Sequence, residues 1–204
     1  RPLYFHNPNQ EGFEAIIKHL HSKNYKFISI EELYSRLEKN DTKGKLAYIS
    51  FDDGWQGNLK LIPIIEKYNV HITIFIAVNP IMSGNFWWEF VAKKVGYTQM
   101  QNFKNLPHDE FESQLKKIKT EVADLQRSAM TIDELETITK HPLISIQSHT
   151  INHPILTKLP DDLLDFELSE SQKQLEKITG KSIFAFSYPN GSISHREINA
   201  AKKY

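Results

Sequence analysis

Apolar residues recur along the chain at two spacings, one typical of helices and one typical of strands. Within Phe13–Leu20, and again within Ile30–Leu37, they fall at i, i+3, i+4 and i+7, which is one face of a helix. A short strand, Phe27–Ser29, is predicted between these two segments. We therefore predict two amphipathic helices at the start of the chain.

Strands and helices alternate through the rest of the chain. Thr131 with Glu134 is a capping box that starts one helix, and Gly180 ends another. The apolar stripe from Phe111 to Leu125 predicts a longer helix. The remaining predicted strands are Lys45–Ser50, His71–Val78, Leu143–Ser148 and Ile183–Tyr188, and the remaining predicted helices are Asn58–Tyr68, Phe86–Val95, Asp161–Thr179 and Ser194–Tyr204.

This alternation predicts an α/β protein whose parallel sheet is covered by helices on both sides or closed into a barrel. With 204 residues and no linker, repeat or charge block, the chain is expected to form a single domain over residues 1–204. An elaborated helical segment is expected within it at about residues 84–140. The last predicted helix has no stop signal before Tyr204, so we expect the natural C-terminal segment to be absent.

The composition excludes several classes of function. The 25 Lys and Arg residues balance the 25 Asp and Glu residues, so the basic excess of a nucleic-acid binder is missing and no nucleic acid is expected as a partner. Because the chain has no cysteine, any metal must be bound by His, Asp or Glu. No run approaches the roughly 20 apolar residues of a membrane span, so no span is predicted in this chain.

Adjacent carboxylates follow the strand Lys45–Ser50. Neighbouring residues point in different directions, so Asp52 and Asp53 can do separate tasks. One could bind a metal while the other, kept charged by that cation, takes a proton from water. Asp-Asp-Gly is also ordinary turn chemistry, and taken alone this segment favours a strand-end turn with a helix N-cap.

Two histidines four residues apart follow the strand Leu143–Ser148. His149 and His153 are predicted to share one face of a helical turn, which Pro154 stops from continuing. Two imidazoles at that spacing make half of a divalent-metal site and need a carboxylate to complete it. The alternative is a pair of solvent-facing histidines in a polar loop, and this segment alone does not decide between the two.

A Pro-Asn-Gly turn follows the last predicted strand. Such a turn could present the backbone N–H of Asn190 to a developing oxyanion. The same residues are typical of a plain β-turn, which we favour for this segment taken alone.

The three segments together, in this order and each after a strand, resemble the polysaccharide deacetylases, the NodB-homology family also called carbohydrate esterase family four. Ser50–Gly54 is similar to the [TS]-F-D-D-G motif of that family, and Ser148–His153 is similar to its S-H-[TS]-x-x-H motif. The resemblance spans roughly Lys45 to Tyr204, with a longer stretch between the two motifs than in compact members. Within that stretch, Phe86–Glu89 is similar to members associated with surface or capsular polysaccharide genes.

The resemblance implies a distorted (β/α)7 barrel, here without its C-terminal part, and metal-dependent removal of acetyl groups from an N-acetylated sugar or, in some members, from an O-acetyl ester. It implies that Asp53, His149 and His153 bind a divalent metal, with zinc as the first choice and cobalt, nickel or manganese as alternatives. Asp52 is then the general base for a water at the open metal position, and the Asn190 N–H is a backbone contact for the oxyanion.

Aromatic side chains are further candidates for contact with a sugar. Tyr188 and Trp55 are predicted to bind substrate, since aromatic rings stack on sugar faces. For Trp55 and the aromatic residues of Phe86–Trp88, core packing is the favoured alternative.

Two positions depart from the family pattern. Ser187 stands where many members carry an arginine that orients the base, and Asn190 stands where a tyrosine is usual. No segment after Tyr188 matches the later motif that supplies a histidine as the catalytic acid. His195 is the only histidine further on, and its position in the first turn of a predicted helix favours a surface role. We therefore expect that the acid lies outside this sequence, leaving the chain catalytically incomplete, or that Asp52 returns the proton itself.

The leading interpretation is a metal-dependent hydrolase that removes acetyl groups from an N-acetylated surface polysaccharide or its precursor. The alternative is a non-catalytic carbohydrate-binding or accessory domain on the same scaffold, and a third is an unrelated metal-dependent hydrolase with the same ligands. A carbohydrate is the expected partner, while the oligomeric state is left open. The resemblance favours a bacterial cell-envelope or secreted location.

Overall fold

A computed structural model describes the whole chain, residues 1–204. Five strands make one sheet in which every pairing is parallel. The sheet order is β1-β3-β4-β5, and β2 pairs with the first two residues of β3. The strands are β1 (Pro2–Phe5), β2 (Lys26–Phe27), β3 (Leu46–Asp53), β4 (Ile72–Ile76) and β5 (Ile144–Ser148).

Helices connect the strands, as parallel pairing requires. Four helices begin with a side-chain cap, from Asn9, Ser29, Thr131 and Ser194. Of these, the Thr131–Glu134 capping box on the eighth helix was predicted from the sequence. The helices are α1 (Gln10–Ser22), α2 (Ile30–Glu38), α3 (Ile62–Lys67), α4 (Val78–Ser83), α5 (Trp87–Val95), α6 (Tyr97–Phe103), α7 (His108–Glu121), α8 (Ile132–Thr139), α9 (Asp161–Thr179) and α10 (His195–Ala201).

The predicted α/β fold with a parallel sheet is confirmed, and the sheet is open in this structure. The prediction of a strand over Ile183–Tyr188 was wrong, because this segment makes only one isolated bridge, between Phe186 and Ser148. The Gln147 side chain takes the place of the ladder, since its Oε1 accepts the N–H groups of Phe184 and Ala185 at 3.0 and 2.9 Å.

The bounds of other helices and strands differ from those predicted. The helix predicted over Asn58–Tyr68 divides into a 3₁₀ turn, Gln56–Leu61, and α3. Pro63 in the first turn of α3 has no N–H to continue an earlier ladder, so a new helix starts there. The last helix ends at Ala201, and the strand β1 and the helices α4 and α6 were not predicted.

Three cores hold the fold together, and the smallest contains five residues from α9, α10 and the segment before α9. The main core contains 26 buried residues between the sheet and its helices, and every residue of β4 is buried. A second core of seven residues joins α5, α6 and α7, so this inserted helical segment packs on itself. No helix combines the length and apolar character that crossing a bilayer requires. Because all strands run in one direction, the loops at their carboxyl ends meet at one edge of the sheet.

Candidate metal centre and substrate cleft

The carboxyl end of β3 carries the pair of adjacent carboxylates. Asp53 and Gly54 both have positive φ, 77° and 92°, so the chain turns sharply there. A Cβ on Gly54 would lie 2.8 Å from Ile76 Cδ1, so glycine is required where the turn meets β4. The N-cap of the following 3₁₀ turn is Trp55 and no side chain caps it, so neither carboxylate has the capping role. Asp53 is buried with 1% of its surface exposed.

The two histidines after β5 lie in a loop, and the prediction of a helical turn was wrong. Thr150 and His153 have positive φ, 73° and 54°, which no right-handed helix allows. The His153 N–H donates to Thr150 Oγ1 at 2.9 Å instead of to a helical carbonyl. This loop still brings the imidazoles together, with the ring centroids of His149 and His153 4.8 Å apart.

A buried carboxylate on α9 holds the middle of this loop. Glu167 Oε2 accepts the N–H groups of Ile151 and Asn152 at 2.8 and 2.9 Å. Its Oε1 accepts Asn152 Nδ2 at 2.6 Å. On the other side of the loop, Asn79 Nδ2 donates to Asn152 Oδ1 at 2.8 Å. Glu167 and Asn79 therefore fix the segment that joins the two histidines, a role that the sequence analysis missed.

Three ligand atoms converge below the loop. Asp53 Oδ1 lies 3.4 Å from His149 Nε2 and 3.3 Å from His153 Nε2, and the three atoms lie within 4.8 Å of one another. Asp53 Oδ1 is buried and has no hydrogen-bond partner, because its contacts with the rings lack hydrogen-bond geometry. The structure thus brings together the three residues predicted to bind a metal.

Neighbouring groups orient these atoms. The His149 Nδ1–H donates to the Ser187 carbonyl at 2.8 Å, so the lone pair of a neutral His149 is on Nε2 and faces Asp53. The Trp55 indole N–H donates to Asp53 Oδ2 at 2.8 Å and leaves Oδ1 free. An oxygen and two nitrogens that face one point without a shared donor fit a divalent cation.

The pKa shifts of Asp53 and His153 agree with that use, whereas the shift of His149 favours its charged form. Burial raises the pKa of Asp53, but the two imidazoles outweigh burial and lower the pKa below its usual range. For His149, burial lowers the pKa and Asp53 raises it, with a net rise. For His153, burial dominates and lowers the pKa. Asp53 is therefore ionised and His153 favours the neutral form, which are the protonation states of metal ligands.

Asp52, the predicted base, lies beside the triad without joining it. Burial, together with the charge of Asp53, raises the pKa of Asp52, and His149 opposes that rise. The Ser187 hydroxyl donates to Asp52 Oδ2 at 3.4 Å. The position where many family members carry arginine thus still contacts the base, through a neutral hydroxyl.

The turn after Tyr188 borders the same cleft. Pro189–Gly191 form a 3₁₀ turn in which Asn190 has a positive φ of 59°. The Asn190 N–H donates to no protein group, and Tyr188 and Asn190 both line the cleft. Trp55 lines it too, although its N–H is committed to Asp53.

His6 is a cleft residue that the sequence analysis missed. Phe5 pairs with Phe51 at the end of β1, so His6 leaves the sheet beside Asp52, which continues in β3 and pairs with Phe75 of β4. The His6 carbonyl accepts Asn58 Nδ2 at 2.8 Å, which fixes the end of β1 against the segment after the carboxylate pair. When protonated, His6 opposes the burial-driven rise in the pKa of Asp52.

The cleft above the triad has a volume of about 800 Å³. Trp88 lines it next to the ligands, with its ring 4.7 Å from that of His153, and the buried Phe86 stacks on Trp88 at 4.7 Å. Phe86 is fully buried, so the favoured interpretation of core packing holds for that residue. The wall opposite the sheet comes from α6.

Comparison with known proteins places this site in a family. A family model described as polysaccharide deacetylase matches residues 39–204. The chain belongs to the polysaccharide deacetylase family. This match includes both carboxylates and both histidines of the site, so the resemblance drawn from the motifs is confirmed.

Two bacterial relatives match nearly the whole chain. The Bacillus subtilis deacetylase homologue YxkH is 24% identical over 198 residues, which is 96% of this chain and 55% of the relative. The poly-beta-1,6-N-acetyl-D-glucosamine N-deacetylase of Staphylococcus aureus strain MSSA476 is 26% identical over 196 residues, which is 96% of this chain and 57% of the relative. The chain thus spans little more than half the length of these relatives.

Solved structures support the same fold. The deacetylase PplD of Streptococcus pyogenes, in complex with acetate, aligns with a TM-score of 0.72 and 20% identity over 99% of this chain and 78% of that one. IcaB from Ammonifex degensii aligns with a TM-score of 0.71 and 16% identity over the same two shares. The α/β fold of this chain is therefore that of these solved structures.

The Glu167 contacts give a first testable prediction. Glu167→Ala leaves the Ile151 and Asn152 N–H groups without an acceptor, so we expect the free energy of unfolding to fall by about 2–4 kcal/mol. We also expect zinc affinity to fall about 10- to 100-fold, as for other residues that support metal ligands. Urea unfolding and competition with a chromophoric chelator measure the two effects. Glu170→Ala, on the same helix, is the matched control, and an equal effect from it would contradict the prediction.

Proposed function

We propose that this chain is a metal-dependent hydrolase that removes acetyl groups from an N-acetylated polysaccharide. One observation carries the proposal: Asp53, His149 and His153 face a common point at the bottom of a cleft, with Asp52 next to them. Membership of the polysaccharide deacetylase family supports the same reaction. Zinc is the proposed ion because two imidazoles and a carboxylate suit it, with cobalt, nickel and manganese as alternatives.

For the substrate, we propose a polymer of N-acetylglucosamine. Support comes from the Staphylococcus aureus relative, whose name specifies poly-beta-1,6-N-acetyl-D-glucosamine. The predicted location in the bacterial envelope or outside the cell stays a prediction and is compatible with such a polymer.

Different residues of the chain are proposed to carry out different steps of the reaction. A divalent cation, when bound, supplies a Lewis acid and lowers the pKa of a coordinated water. Asp52 takes the proton of the attacking water, since its carboxylate borders the cleft and the Ser187 hydroxyl holds one oxygen. The free N–H of Asn190 is a donor for the negative oxygen that develops on the acetyl group.

The departing amine must gain a proton, and we propose His6 as the donor. His6 lines the same cleft as Asp52, and the end of β1 is held close to the carboxylate pair. Gly57 allows this approach, since a Cβ there would lie 2.1 Å from Asn7 Oδ1. His6 in this role is a third candidate beside the two expected from the motifs, an acid outside this sequence and return of the proton by Asp52.

Acetate release tests the function directly. The purified chain is stripped with a chelator, reloaded with zinc, cobalt, nickel or manganese, and incubated with β-1,6-linked N-acetylglucosamine oligomers. We expect acetate only from reloaded protein. Binding of the oligomers without acetate release would instead favour the non-catalytic carbohydrate-binding alternative, and a product other than acetate would favour a different hydrolase.

His6 gives a second testable prediction. His6→Ala is expected to lower kcat by about 100-fold while bound zinc is unchanged, because general acid catalysis is lost and no metal ligand is touched. Steady-state acetate release and elemental analysis measure the two quantities. His19→Ala, an exposed histidine on α1, is the control. An unchanged kcat in His6→Ala would mean that Asp52 returns the proton itself.

A further inference from the structure

The two most exposed large hydrophobic side chains of the whole chain lie at the same cleft. Tyr4 has 72% of its surface exposed and Tyr97 has 71%, and both line the cleft above the triad. They come from unrelated elements, Tyr4 from β1 and Tyr97 from the inserted segment. Exposed aromatic rings at a concave polar site are typical of ligand contacts, because neither ring contributes its area to a core.

The helix that carries Tyr97 presents one face to the cleft. Tyr97, Met100, Gln101 and Lys104 follow at i, i+3, i+4 and i+7, and all four line the cleft. Met100 is buried and anchors this face in the second core. Gln101 and Lys104 add donors one and two turns beyond the exposed ring, which is the combination of apolar face and polar groups that a sugar presents to its site.

The size of the cleft also indicates that it contacts more than one sugar ring. The cleft volume of about 800 Å³ lies near the upper end of the roughly 300–1,000 Å³ range of small-molecule sites. A single N-acetylated ring with its acetyl group at Asp52 and Asp53 fills only part of such a cleft. The residues at Tyr4 and along α6 are then left to contact other rings of the same polymer.

We propose that Tyr4 and Tyr97 are stacking platforms for sugar rings other than the one that loses its acetyl group. The cleft then binds a segment of several N-acetylhexosamine rings, and the enzyme prefers oligomers to the monosaccharide. The inference rests on the proposed deacetylation for its substrate class. It adds two specificity-determining residues and a dependence on chain length.

The test compares N-acetylglucosamine with its β-1,6-linked pentamer. Tyr4→Ala and Tyr97→Ala are each expected to lower kcat/KM for the pentamer about three- to tenfold, with little change for the monosaccharide. Tyr4→Phe and Tyr97→Phe keep the ring and are expected to retain most of the wild-type value. Tyr34→Ala is the matched control, since Tyr34 is an exposed tyrosine on α2 that does not line the cleft. Thermal unfolding checks that each variant folds.

A binding measurement separates this inference from the proposed function. Pentamer affinity is measured by titration calorimetry in the Asp52→Asn background, where turnover is suppressed. If the wild-type chain releases no acetate from any oligomer, the proposed function fails, and a three- to tenfold weaker pentamer affinity in the Tyr→Ala variants still supports the platforms. Pentamer affinity and kcat/KM equal to those of Tyr34→Ala, or an equal loss for monosaccharide and pentamer, would overturn them.

Discussion

Asp53→Ala is expected to abolish stoichiometric zinc binding and to reduce acetate release to background. Asp53 supplies the only carboxylate of the triad, and its free Oδ1 faces the Nε2 atoms of His149 and His153. Loss of a residue that only supports a ligand costs about 10- to 100-fold in metal affinity, so we expect loss of the ligand itself to cost more than about 100-fold. Elemental analysis after gel filtration and competition with a chromophoric chelator measure the change.

The control for this variant is Asp133→Ala, which removes an exposed carboxylate in the first turn of α8. We expect it to keep wild-type zinc content and activity. His153→Ala tests the same site from the loop side and should match Asp53→Ala in zinc content. Unchanged bound zinc in both triad variants would show that the ligand assignment is incorrect.

The carboxylate pair and the histidine pair could be predicted because each lies at the carboxyl end of a buried strand of a parallel sheet. Strand direction alone places Asp53 and the His149–His153 loop at one edge, although 95 residues separate Asp53 from His149. The conformation of that loop could not be predicted in the same way. Its amides bond to Thr150 and to Glu167, and the acceptor on α9 lies 16 residues from the Ile151 amide that it binds.

The position of His6 could not be predicted from the sequence, for a different reason. The strand β1 has only four residues and begins with a proline, so it gives too little alternation to be predicted. Its place in the sheet depends on long-range pairing with β3, and that pairing is what brings His6 to the edge where Asp52 lies. The family motif that supplies the acid comes after Tyr188, so it gives no indication of the proposed donor His6 at the opposite end of the chain.

The segment Ile183–Tyr188 shows how one side chain can replace a strand. Apolar residues predict a strand here, but Gln147 accepts two of its N–H groups and leaves a single bridge at Phe186. The irregular path then brings Ser187 to both site components at once. Its carbonyl accepts from His149 and its hydroxyl donates to Asp52, so one residue links the proposed metal ligands to the proposed base.

The second large effect is expected from a substitution of Asp52, the residue that the Ser187 hydroxyl contacts. Asp52→Asn is expected to lower kcat by about 10²- to 10⁴-fold while zinc content stays at the wild-type level. Asparagine has nearly the same size as aspartate and keeps an oxygen for the Ser187 hydroxyl, but it cannot take a proton from the attacking water. Because Asp52 is outside the triad, the ligand atoms of Asp53, His149 and His153 are unchanged. Acetate release under saturating oligomer and elemental analysis measure the two quantities.

Ser187→Ala separates positioning of the base from its chemistry. It removes one long hydrogen bond, 3.4 Å from Oγ to Asp52 Oδ2, and leaves the carboxylate in place. We therefore expect a loss in kcat of about tenfold, since a hydrogen bond this long lies at the weak end of those to charged groups, at about 1.5 kcal/mol. An Asp52→Asn variant that lost no more activity than Ser187→Ala would argue against a base at this position. Zinc loss in Asp52→Asn would instead make Asp52 a fourth ligand.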